Sequence, residues 1–209
     1  MASELNVVAP YTQEWDDYLS EEARLVRNAP SNWEVILGYD NRADLVDKIR
    51  TLQSIDPDHP CLKTLEIDAH ANPISINDLS RTDVASWGTA LKTLVWCDEA
   101  SVYLSGCNTG LTRNSASTNP AVIGPIAKLL ADALAYDPAT FAHKIIVYGS
   151  NGYLSGTHME GSEETVDSFT EYNFAWAIPP VTKTFWPKFP GGSNASGNAV
   201  WIPFKNGNW

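Results

Sequence analysis

The chain has 209 residues, 44% of them hydrophobic and 19% charged, with a formal net charge of −11. That length supports one globular domain with a proper core, and 8 Trp, 8 Tyr and 6 Phe argue against disorder. The acidic balance argues against DNA or RNA as a partner, and no stretch approaches the roughly 20 apolar residues of a membrane span.

Residues Met1 to Trp15 show neither the basic nor the apolar region of a signal peptide. A cytoplasmic location is therefore expected, with unconventional export left open. Trp15, Leu19, Glu22 and Val26 recur at roughly helical spacing, so residues 1–31 are predicted as a helical extension on the outside. Trp33 to Tyr39 (WEVILGY) is a short apolar run, a buried-strand signal. Asn41 can then cap a helix with Leu45, Val46, Ile49 and Leu52 on one face. Leu62 to Ala69 alternates with period two, and Val84, Trp87, Leu91, Leu94 and Val95 mark a second helix. Ser101 to Gly106 is the next strand. Asn119-Pro120 or Gly124-Pro125 opens a third helix with Ile126, Leu129, Leu130, Ala133 and Leu134 inward. Lys144 to Gly149 (KIIVYG) is a fourth strand, and Ala199 to Phe204 a candidate edge strand.

Strands alternating with helices over 33–150 predict an α/β core. Right-handed crossovers give it a mostly parallel sheet with helices on both faces, a three-layer sandwich. The tail 171–209 differs in composition. No Asp or Glu follows Glu171, whereas Lys183, Lys188, Lys205, Trp176, Trp186, Trp201 and Trp209 do, with five of the prolines. It reads as a Trp/Pro-rich C-terminal wrap: either rings that cover the sheet or a platform for a glycan or protein partner.

In an open parallel sheet, reactive groups gather at the carboxyl ends of the strands. His59, Cys61, Cys97 and His143 precede strands and fall at the opposite edge. His70 follows Leu62–Ala69, Cys107 follows Ser101–Gly106, and His158 lies on an acidic loop, 156–167. A thiolate and an imidazole side by side are the minimum for nucleophilic acyl transfer. The Cys107-Asn108-Thr109 turn before Gly110 offers backbone N–H groups to a developing oxyanion. Asp68, two residues before His70, can orient the imidazole or sit at a solvated strand end. An inert buried thiol is the competing reading of Cys107. No C-x-x-C or H-x-x-x-H occurs, so neither metal nor cofactor is expected. Three cysteines, odd in number, predict a reduced chain rather than a disulfide framework.

Leu65-Glu66-Ile67-Asp68-Ala69-His70, followed by Val102-Tyr103-Leu104-Ser105-Gly106-Cys107-Asn108-Thr109-Gly110, resembles the clan CD cysteine peptidases. These are the caspase, gingipain, separase and legumain group, and the C-N-T-G turn is closest to bacterial CHAT-type caspase-like domains. The resemblance covers roughly 33–150. It implies a caspase-like sandwich and a cysteine endopeptidase with Cys107 as nucleophile and His70 as general acid/base. It further implies an oxyanion site formed by backbone amides at Ala71 and around Cys107 and Asn108. The clan usually has Gly after the His, where this chain has Ala71. Several basic-cleaving members carry an Asp two residues before the Cys, where this chain has Ser105. The implied partners are a peptide or protein substrate and an activating protein or cleavage, with loop 156–167 the first place to look. The alternative is a catalytically inactive module of the same fold, binding through the strand-end cleft and the Trp-rich tail.

Overall fold

The computed structural model describes residues 4–12, 25–29, 32–55, 60–106, 109–110, 124–151, 193–194, 197–198 and 200–209. The main strands are β1 (Glu4–Pro10), β2 (Leu25–Ala29), β3 (Asn32–Ile36) and β4 (Cys61–Asp68). Short strands β5 (Ala71–Asn72), β6 (Ser75–Ile76) and β7 (Leu79–Ser80) follow, then β8 (Trp96–Ser105) and β9 (Lys144–Asn151). The chain ends with β10 (Ser193–Asn194), β11 (Gly197–Asn198) and β12 (Val200–Lys205). The helices are α1 (Arg42–Ile55), α2 (Val84–Leu91) and α3 (Ile126–Ala133).

Seven strands form the main sheet in the order β12-β9-β8-β4-β1-β3-β2. The five inner strands are parallel, and β12 and β2 close the edges antiparallel. The mixed α/β class with a mostly parallel sheet thus stands. Pro203, which has no N–H to give a ladder, is tolerated because β12 is an outermost strand.

Local chemistry accounts for the helices. Asn41 Oδ1 accepts the N–H groups of Ala43 and Asp44, at 3.0 and 3.1 Å, and so caps α1. Leu45, Val46 and Ile49 bury the face below it. Pro125 stands at the N-cap of α3, whose Ile126, Ala127, Leu130 and Ala131 are buried. Each fully buried aliphatic side chain contributes roughly 1.5–3 kcal/mol over its exposed state.

The layering differs from expectation. From β3 to β4 to β8 to β9 the chain crosses the sheet in one direction, so right-handed crossovers place α1, α2 and α3 on one face. There α2 packs between α1 and α3. Leu5, Val7, Leu65, Ile67, Val102, Leu104, Ile145 and Val147 form the core with these helices. The opposite face is also buried but largely polar: Asn6, Thr64, Glu66, Asp68 and Ser105 are all under 9% exposed. On it Tyr103 stacks on Tyr148 at 4.6 Å, and Trp201 meets Tyr103 edge-on at 5.4 Å. Helices on both faces are therefore not what the described residues show.

Two further expectations are corrected. The N-terminal segment carries β1, a central strand between β3 and β4, and Val26 belongs to strand β2 rather than to a helix. Leu5, Val7, Val8 and Ala9 are buried by neighbours distant in sequence, which outweigh local spacing. Residues 13–24 lie outside the described residues. The chain is also not fully reduced: Cys61 and Cys97 form a disulfide, with Cα atoms 4.9 Å apart at the starts of β4 and β8. Parallel pairing of those strands brings the two residues together.

Candidate active site

Strands β4 and β8 are direct parallel neighbours, with Asp68 opposite Ser105 in the final register pair. Their carboxyl ends therefore finish side by side. Ala69 N–H extends the pairing by donating to Ser105 C=O at 3.4 Å. His70 follows, exposed. The chain then turns into the small sheet β5-β6-β7, pinned by buried Ile76 and Leu79. Asn72 shapes the first hairpin: Oδ1 accepts Ile74 N–H and Nδ2 donates to Ser75 Oγ, both at 2.9 Å.

Asn77 N–H donates to His70 C=O at 3.4 Å. That bond brackets the Ala71–Ile76 pair and makes it a non-hydrogen-bonded pair of the ladder, so the Ala71 N–H points away from β6. Among the described non-glycine residues only Asn77 has a positive φ, 47°. Ala71 thus holds its place without a glycine-only backbone angle.

Gly106, which ends the approach from β8, is buried against both neighbours of His70. A Cβ on Gly106 would lie 2.6 Å from Ala69 O and overlap the Ala71 Cβ. Beyond Cys107 and Asn108, Thr109 is fully buried. Its hydroxyl donates to Leu104 C=O at 2.7 Å and accepts from Ser150 N–H at 2.9 Å. Gly110 N–H donates to Ser150 C=O at 2.9 Å, an approach so close that a Cβ on Gly110 or Gly149 would meet backbone. Helix α3 ties both turns together. Ile126 N–H donates to Pro73 C=O at 3.0 Å and Ala127 N–H to Thr109 C=O at 3.2 Å.

Cys107, Asn108, His158 and the loop 156–167 lie outside the described residues. The structure does bring together what flanks the predicted dyad: Ala69 and Ala71 on one side, Gly106 and Thr109 on the other. Asp68 is the last residue of β4 and 6% exposed, and Ser105 is 3% exposed beside it. Glu66 lies two residues earlier on the same strand face, fully buried, with neither carboxyl oxygen in a well-formed hydrogen bond. Its pKa is pushed well above the ordinary glutamate value. Burial is the main cause, the nearby Asp68 charge adds to it, and the Ser105 hydroxyl opposes it. Burial also raises the Tyr103 phenol, which faces Glu66 across the strands.

Sequence reasoning missed Ser150, Thr109, Glu66 and the disulfide. Ser150 and Thr109 are ordinary polar residues whose importance comes from buried hydrogen bonds made only in the fold. Glu66 had a readable signal, since it shares the period-two face of Asp68. Of the tail tryptophans, Trp201 packs on the sheet, and Trp209 gives its indole N–H to Asn206 Oδ1 at 2.7 Å. Trp176 and Trp186 lie outside the described residues. Among the described residues no group of three His, Cys, Asp or Glu could hold a metal ion, and no helix is long and apolar enough to cross a membrane. Comparison with family models, with curated proteins and with solved structures gives no match.

Proposed function

We propose that the chain is a cysteine endopeptidase of the clan CD type, with Cys107 as nucleophile and His70 as general acid/base. The packing of Gly106 against Ala69 and Ala71 carries this reading. It sets the residue before Cys107 against the two residues that flank His70, at the carboxyl edge of adjacent parallel strands. A strand ending in His, a helical crossover and the neighbouring strand ending in Cys are the order that the resemblance implies.

In this mechanism Cys107 Sγ attacks the scissile carbonyl and His70 protonates the leaving amine. His70 then takes a proton from water as the water hydrolyses the thioacyl-enzyme. The outward Ala71 N–H and the Cys107 amide supply donors to the oxyanion. The disulfide takes Cys61 and Cys97, so Cys107 is the third of the three cysteines in these 209 residues and stands outside that pair. It also argues for an oxidising compartment over the reducing cytoplasm.

The test is turnover of a diverse peptide library by the wild type and by Cys107→Ala. Loss of all cleavage, with near-UV circular dichroism unchanged, supports the reading. Cleavage retained in Cys107→Ala contradicts it and leaves the binding-module alternative.

A further inference from the structure

We propose that Ser150 is a positioning residue for the oxyanion site, acting through the peptide group that joins Gly106 to Cys107. The inference rests on the cysteine-peptidase reading above. Ser150, on β9, is 1% exposed and reaches the turn through all three of its polar groups. Its N–H donates to Thr109 Oγ1, its C=O accepts from Gly110 N–H, and its hydroxyl donates to Gly106 C=O. One residue thereby grips the turn on both sides of Cys107-Asn108.

The hydroxyl contact has a chemical consequence that the two backbone contacts lack. Gly106 C=O and Cys107 N–H belong to one planar peptide group and point in opposite directions. Fixing the carbonyl fixes the amide. A hydrogen bond accepted at the oxygen also polarises the group and strengthens the donor at the nitrogen. The Ser150 hydroxyl thus orients and strengthens the amide that meets the oxyanion, without touching substrate.

The experiment compares two probes of Cys107 in full-length protein without reductant, so that the disulfide stays closed. Iodoacetamide alkylates the thiolate by displacement and develops no oxyanion. With p-nitrophenyl acetate, a bond forms from Sγ to the acetyl carbon through a tetrahedral oxyanion. The carbon–oxygen bond then breaks and nitrophenolate leaves with the electron pair. Ser150→Ala should acylate about tenfold more slowly, short of the hundredfold or greater loss typical when an oxyanion donor itself is removed. Its alkylation rate and the pH profile of that rate should match the wild type, and Ser150→Thr should restore acylation. If Ser150→Ala does not fold, the isosteric pair Ser150→Thr and Ser150→Val carries the same comparison. Acylation unchanged in the variant, or acylation and alkylation falling together, overturns the proposal. A wild-type Cys107 that reacts with both probes no faster than glutathione overturns the peptidase reading itself, before any variant is considered.

Discussion

Pro73 and Thr109, three and two residues beyond His70 and Cys107, are tied to consecutive amides of one helix. Ile126 N–H reaches Pro73 C=O at 3.0 Å, and Ala127 N–H reaches Thr109 C=O at 3.2 Å. The first turn of α3 otherwise has no intrahelical acceptors for these donors. The two turns of the proposed site satisfy them and are held at a fixed spacing in return.

That spacing leaves no room for a side chain at Gly106. Gly106→Ala sets a methyl against Ala71 and 2.6 Å from a backbone oxygen at Ala69. The variant should lose about 1–3 kcal/mol of stability through overpacking. Its Cys107 alkylation rate should fall toward that of a free thiol. Urea unfolding together with labelling kinetics checks both, and wild-type values for both mean that the contact does not set the site.

Glu66 makes stability depend on pH. Its folded-state pKa is raised, so its protonated form belongs to the folded state. That contribution is fully present below the unfolded pKa and is lost as pH rises through the folded pKa. The slope is at most about 1.4 kcal/mol per pH unit for one group. Calorimetry from pH 4 upward should show the wild type losing stability relative to Glu66→Gln, whose curve lacks this term. Parallel curves would mean that Glu66 is not the group responsible.

The disulfide closes a loop that contains all of β4, His70 and the small sheet, since Cys61 and Cys97 are 36 residues apart. Chain-entropy reasoning assigns such a loop about 4 kcal/mol. Guanidinium unfolding of a Cys61→Ser/Cys97→Ser variant should register a loss of that order. An unchanged midpoint would contradict the assignment of the disulfide as a main stabiliser.

Asn206 joins the C-terminal strand to the body. Buried, it accepts from Ile145 N–H and Trp209 Nε1 and donates to Leu134 and His143 carbonyls. Asn206→Ala strands several of these groups away from water and should cost about 3 kcal/mol. Thermal unfolding measures it, and a shift of less than a degree would show that the groups find other partners.

The sequence was most readable where a local signal and a tertiary requirement agree. Asn41 followed by an apolar 3.6-period marks α1. Of the two openings offered for the third helix, Asn119-Pro120 and Gly124-Pro125, the second stands at the start of α3, and the apolar run at 144–149 marks β9. Strand β1 was hidden because Leu5 to Ala9 is short and is held between β3 and β4, both distant in sequence. The strands β5 to β7 are two residues each and have no period to detect. Cysteine spacing alone says nothing of pairing; Cys61 and Cys97 meet only because β4 and β8 start side by side. The placement of His70 at a strand end was readable from the alternation of Leu62 to Ala69. The clamp of Ser150 on Gly106 was not, because it depends on where β9 lies beside β8.

The most direct measurement is the pH dependence of iodoacetamide alkylation, read by intact mass, in the non-reduced wild type and in His70→Ala. One rapid label is expected at Cys107, faster than glutathione, because the paired imidazole favours the thiolate. In His70→Ala that advantage should disappear while the fold and the Cys61–Cys97 disulfide remain. A Cys107 that labels at the same rate with and without His70, throughout the pH range, contradicts the pairing on which the proposed function stands.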